Sequence, residues 1–178
     1  MFRLWKIWEL KMKLGITGHR PPSLGGYDIP NPTYTKIYNQ LLEKIKEINP
    51  ECIVSGMAQG TDQWAVKAAI ELGIPFIAAV PCDDQDCMWP EDSRKEYQKL
   101  ISLAKEVVIV SPGPYGYVEI KNKRVNKMHV RDQWIVDNSD ALLAVWNGHR
   151  QSGTFATIRM AEKKIKKDER YTIHRIIP

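Results

Sequence analysis

The chain reads as an α/β domain: a mainly parallel sheet flanked by helices on both faces. Three observations predict this. Short apolar runs rich in β-branched residues alternate with longer stretches of helical periodicity, the pattern of successive βαβ units. Polar, glycine-bearing turns follow several of the short runs, at the strand ends where such sheets bind ligands. The 178 residues, 43% hydrophobic and 26% charged, suit one globular core.

Taken in order, residues 1–11 hold Phe2, Leu4, Trp5, Ile7, Trp8 and Leu10, interrupted by Lys6, Glu9 and Lys11. A secretory signal needs an unbroken apolar stretch of roughly 7–15 residues, so no export signal is read here and a cytoplasmic protein is expected. The stretch is taken as an appendage, 1–11, ahead of a single domain, 12–178. No apolar run approaches the ~20 residues of a membrane-spanning helix, so no membrane partner is expected. Residues 13–17 predict a first strand ending in Gly18, followed by a long loop carrying Pro21, Pro22, Gly25, Gly26, Pro30 and Pro32. Residues 34–48 predict a helix with Ile37, Leu41, Leu42, Ile45 and Ile48 on one face, stopped by Asn49-Pro50. A strand at 52–55 leads to a helix at 61–72 with Ala65, Ala68, Ala69 and Leu72 inward, and Gly73 stands where a C′ glycine ends a helix. Strands follow at 76–80 and 107–110, with a helix at 93–103 between them. Residues 111–127 read as a long, polar, basic loop. A short helix at 128–138, a strand at 141–146, a helix at 154–167 and a last strand at 172–177 complete what is a Rossmann-like arrangement.

Three turns at the carboxyl ends of the strands carry the candidate chemistry. In the first, Gly18 allows close backbone approach, while His19 and Arg20 offer donors suited to anions. In the second, Ser55, Gly56, Ala58, Gly60, Thr61 and Asp62 open a helix whose N-terminal amides can face a phosphate; Thr61 and Asp62 also suit a helix cap and a dipole partner. In the third, Asn147, Gly148, Ser152, Gly153 and Thr154 repeat that design. Arg131 offers a planar fork for phosphate or carboxylate, or a surface pair with Asp132. Trp89, Trp134, Tyr115 and Tyr117 are each candidates for stacking on a base or for core packing. Asp137 and Asp140 fit a loop cap better than acid–base work. Net charge is +5, from 26 Lys+Arg against 21 Asp+Glu, which permits an anionic ligand without demanding nucleic acid. One basic cluster (Lys121, Lys123, Arg124, Lys127, Arg131) adjoins the candidate site. The other (Lys163, Lys164, Lys166, Lys167, Arg170) reads as a solvated helix face. Cys82 and Cys87 lack a second Cys/His pair at ligand spacing, so no metal and no cofactor are assigned, and the odd set with Cys52 implies no disulfide framework.

Together the stretches GITGHRPPSLGGY (15–27), SGMAQGTDQWAVKAAIELGIP (55–75) and RDQWIVDNSDALLAVWNGHRQSGTFATI (131–158), with the spacing of Gln85, Trp89 and Tyr97, resemble the YpsA family of the SLOG superfamily. The resemblance implies a Rossmann-like sheet, a pocket built from the three turns, a nucleotide-derived ligand and a homo-oligomer. The second stretch also looks like a segment of the DNA processing protein A family, which binds single-stranded DNA. Residues 128–145 look like the LOG phosphoribohydrolases, which places Arg131 on their active-site arginine. The LOG pattern ends in a catalytic Glu where this chain has Thr157, and the YpsA-like pattern has one more glycine after the serine than Ser152-Gly153-Thr154. The reading is therefore a binding module for a phosphorylated, nucleotide-derived small molecule, a sensor or sequestering protein, with no catalytic residue assigned. The alternatives are an N-glycosidase-like nucleotide hydrolase and a single-stranded nucleic-acid binder.

Overall fold

The computed structural model describes residues 12–178. The appendage and the apolar side chains at 1–11 lie outside the described residues. The chain runs β1 (Lys13–Gly18), α1 (Pro32–Ile48), β2 (Cys52–Ser55), α2 (Thr61–Glu71), β3 (Phe76–Val80), α3 (Glu91–Ser102) and β4 (Glu106–Ile109). It continues through β5 (Tyr117–Ile120), β6 (Lys123–Asn126), α4 (Lys127–Asp137), β7 (Ala141–Val145), α5 (Gly153–Ile165) and β8 (Thr172–Ile176). Six strands form one parallel sheet in the order β4-β3-β2-β1-β7-β8. The Rossmann-like α/β fold expected from the alternation is the fold observed.

Period-two alternation sorts each strand between two faces. Leu14, Ile16, Ile53, Phe76, Leu143 and Val145 pack with Ile37, Leu41 and Ile45 of α1 and Trp64 and Ala68 of α2. On the other face Leu142 and Ala144 meet Val136, Ile158 and Ala161, while Cys52, Val54, Ile77 and Ala79 meet Ile135. Every residue just named is buried. Local signals close the helices: Asn31 accepts the Tyr34 amide at 2.9 Å as the N-cap of α1, and Gly73 adopts φ +70° just past α2.

Two expectations are corrected. Residues 111–127 are not loop throughout: β5 and β6 pair antiparallel, with Ile120 opposite Lys123. Lys121 and Asn122 both take positive φ, 49° and 60°, as a two-residue primed turn requires. The turn lacks a glycine and the strands bury little, so neither usual hairpin signal is present. Lys164 is also no solvated side chain. Its ammonium donates to the carbonyls of Val136, Asp137 and Ser139 at 2.7, 3.2 and 2.7 Å and lies 4.5 Å from the Tyr171 ring centre. It caps the end of α4, where carbonyls lack helical partners. Among the described residues no helix is long and apolar enough to cross a membrane.

Candidate functional site

After β1 the chain moves outward through β2, β3 and β4. It then returns by way of α4 to β7, on the opposite side of β1. Gly18 and Val145 are paired at the carboxyl ends of these two strands. Their crevice is the switch point at which open parallel sheets bind ligands. A cavity of about 280 Å³ occupies it.

The first turn fixes the floor. The His19 amide donates to Val145 O at 3.2 Å, and its carbonyl accepts from the Thr61 amide and hydroxyl at 3.3 and 3.1 Å. Its imidazole is buried, and Nε2 accepts the Asn147 amide at 3.2 Å, so the third turn hangs on the first. Burial lowers the His19 pKa, which favours the neutral ring that this acceptor role needs. Arg20 stays exposed at the rim.

The second turn is closed by its own side chains. Ser55 Oγ accepts from the Met57 amide and donates to Asp62 O, at 3.2 and 3.1 Å. Asp62 Oδ2 accepts the Ala58 amide at 3.2 Å, and Gln63 donates to Met57 O at 3.1 Å. Asp62 reaches the cavity, and burial pushes its carboxyl up to about 6 against the pull of Arg131.

Arg131 rises from α4 with its side chain 5% exposed. Nε donates to Asp132 at 2.7 Å and Nη1 to the Gly56 carbonyl. Gln85 donates to that same carbonyl at 2.9 Å. Among the described residues Nη2 has no acceptor. Burial opposes the guanidinium's charge, but Asp132 and Asp62 outweigh it and the pKa rises, so Arg131 is a permanent cation. In the third turn Ser152 Oγ caps α5 through the Phe155 amide at 3.1 Å and donates to His149 O at 2.8 Å. The amides of Gly153 and Thr154 are left as first-turn donors without intrahelical partners.

Of the predicted residues, Gly18, His19, Arg20, Ala58, Asp62, Arg131, Ser152, Gly153 and Thr154 line this one cavity. Ser55, Gly56, Gly60, Thr61, Asn147 and Gly148 do not, and each has a physical reason. Ser55 and Thr61 spend their hydroxyls on backbone. A Cβ on Gly56 would lie 2.0 Å from Arg131 Nη1, and one on Gly60 2.8 Å from His19 O, so both glycines make room for protein rather than ligand. Gly18 borders the cavity, yet its missing Cβ makes room for Thr61, 2.4 Å away. Asn147 and Gly148 turn outward, where Asn147 Oδ1 accepts the His149 amide at 3.0 Å. Thr157 is buried off the cavity, donating to Gly153 O at 3.0 Å. Ser23 and Met128, which sequence reasoning missed, also line it, as does Asp132. The first turns of α2, α4 and α5 all border the cavity, through Asp62, Met128 and Gly153, so three helix dipoles add positive potential there.

The sequence profile of the YspA SLOG family (YpsA) matches residues 14–178. The chain belongs to this family. The motifs point to the same family, and the match runs from the second residue of β1 through β8. This YpsA-family chain is 28% identical over 164 residues to the uncharacterized SPbeta prophage-derived protein YoqJ of Bacillus subtilis (strain 168), covering 81% of this chain and 91% of that protein. It is similar in structure to DNA processing protein A from Helicobacter pylori, with TM-score 0.57, 18% identity, and 92% and 75% of the two chains covered. The same protein from Streptococcus pneumoniae matches at TM-score 0.56 and 20% identity over 86% of this chain, which spans about half (48%) of that one. The molybdenum cofactor carrier protein of Chlamydomonas reinhardtii matches at TM-score 0.50 and 15% identity over 93% of this chain and 89% of that one. At such identities the likeness is one of fold.

Proposed function

We propose that the chain binds a phosphorylated, nucleotide-derived small molecule in the switch-point cavity and acts as a sensor or sequestering protein. One observation carries the reading. A buried, permanently charged Arg131 with an unused Nη2 shares a 280 Å³ cavity with the open first-turn amides of Gly153 and Thr154. A guanidinium fork and helix N-terminal amides are complementary to a phosphate. The carboxylates of Asp62 and Asp132 suit the hydroxyls of an attached sugar. Native mass spectrometry of protein purified from cells should find a co-purified phosphorylated compound. Calorimetry with that compound should show Arg131→Ala weakening binding by about 1.5–3 kcal/mol, the range for a charged hydrogen bond. Unchanged affinity removes Arg131 from the site.

A hydrolase is the second reading, favoured by Asp62. Its carboxyl reaches the cavity and titrates at about 6, within reach of acid–base duty near neutrality. In that reaction water breaks the N-glycosidic bond of a nucleoside monophosphate, leaving free base and ribose 5-phosphate. Base release above background that is lost in Asp62→Asn establishes the enzyme; none from a panel of nucleoside monophosphates leaves the binding protein. Of the structural neighbours, the Helicobacter protein is described with a single-stranded DNA binding mode, and the Chlamydomonas protein as a molybdenum cofactor carrier. Nucleic acid as the ligand here requires an affinity that falls steeply with salt.

A further inference from the structure

The polar cavity opens beside a second, larger space. A groove of about 620 Å³ is lined by Tyr27, Gln85, Met88, Trp89 and Tyr115, and it shares Arg20 and Met128 with the cavity. A further link lies beneath: Gln85 of the groove and Arg131 of the cavity donate to the same Gly56 carbonyl. The two spaces are therefore fixed in register by one backbone atom.

Their chemistry differs. The cavity is walled by Arg131, Asp62, Asp132 and the start of α5. The groove is walled by three aromatic rings and the thioethers of Met88 and Met128, with Arg20, Gln59 and Gln85 as its polar groups. Met88, Tyr27 and Tyr115 stand 83%, 59% and 52% exposed, so the groove presents apolar area with no partner among the described residues. Trp89 is half-buried and held edge-on by Tyr97, with ring centres 5.3 Å apart, which fixes its plane. Size points the same way. Sites for small molecules usually enclose about 300–1,000 Å³, so the 280 Å³ cavity holds little more than a phosphorylated sugar. The remainder of a longer ligand leaves past Arg20 and Met128 into the groove.

We infer that the Trp89–Tyr115 groove is a subsite for a planar heteroaromatic ring, the base of a nucleotide whose phosphate and sugar occupy the adjoining cavity. Aromatic faces stack on any base, and a polarisable methionine packs against rings. The inference rests on the phosphate-binding reading of the cavity and adds the ligand's second half.

The test compares ribose 5-phosphate with the four ribonucleoside 5′-monophosphates by calorimetry, on the full chain and on a Met88→Ala/Tyr115→Ala variant. Both side chains are exposed, so the variant keeps its core. At least one nucleotide should bind about tenfold or more tighter than ribose 5-phosphate, as stacking on one or two aromatic rings provides. The variant should bring that nucleotide to the affinity of ribose 5-phosphate and leave ribose 5-phosphate itself unmoved. The nucleotide, and not the sugar phosphate, should quench tryptophan fluorescence, with the quenching lost in Trp89→Phe. If all five probes bind alike, or if the nucleotide advantage survives in the variant, the groove is not the base subsite and the cavity reading stands. If none binds, ribose 5-phosphate included, the phosphate site falls and the subsite with it.

Discussion

Gly56 and Arg131 compete for one volume. A methyl on Gly56 would sit 2.0 Å from Nη1 and 2.3 Å from Cζ, so the guanidinium must leave its place on the Gly56 carbonyl. Gly56→Ala should therefore reproduce the binding loss of Arg131→Ala while keeping every charge. It should also cost about 1–3 kcal/mol of stability through overpacking, read by calorimetry and urea unfolding. A glycine that serves a residue 75 positions away leaves no local trace, which is why Gly56 reads in the sequence as a ligand contact. Asp62 gives a pH signature. Its folded carboxyl titrates near 6 against an ordinary 3.8. Between those values the folded chain holds a proton that the unfolded chain releases, so this group adds stability as pH falls through 6 and withholds it above. Asp62→Asn should be more stable than the parent at pH 7.5, by up to about 3 kcal/mol. The gap should close towards pH 4 in urea midpoints. A gap independent of pH contradicts the buried-charge account.

At the scale of elements, α4 and α5 are joined by Lys164. The helical period was sufficient to foresee this, because position 164 lies four and three residues beyond the buried Met160 and Ala161, on the same face. The run of lysines around it hid the signal. Lys164→Met keeps the length and loses the donors to three carbonyls, so unfolding free energy should drop by about 1.5–3 kcal/mol. A lysine in water costs a few tenths at most when replaced, and a loss that small would return Lys164 to the solvated face. The β5–β6 hairpin was illegible for the opposite reason. Its strands carry Glu119, Lys123 and Arg124 outward and leave little alternation to detect. The four inner parallel strands were legible because they are buried on both faces, whereas the edge strands β4 and β8 are largely exposed.

For the whole molecule, what could be read was the existence of the six sheet strands and which of their ends bear the glycine-containing turns. What could not be read was their lateral order. The passage from β4 across to β7 runs through α4, which packs over the face of β1, β2 and β3, and no residue encodes that route alone. Placing the three turns at one end of the sheet needed no knowledge of the order, because the carboxyl ends of parallel strands lie on one side whatever it is. Self-association remains a proposal. Multi-angle light scattering should give a dimer or larger, and a monomer at high micromolar concentration contradicts it.

The imidazole bond from His19 to Asn147 spans 128 positions of sequence. It closes a loop containing most of the fold, and the cavity borrows residues from Ile16 to Thr154. No fragment that leaves out β1 or the start of α5 holds all the residues lining the pocket, and any opening that frees β1 from β7 abolishes it. Occupancy and global folding are thus a single linked equilibrium: a compound held at a hundred times its dissociation constant adds about 2.7 kcal/mol to the unfolding free energy. The melting temperature of this protein is consequently an assay for the ligand proposed above, sensitive to every compound that fills the crevice and blind to those that adhere elsewhere without preference for the folded state.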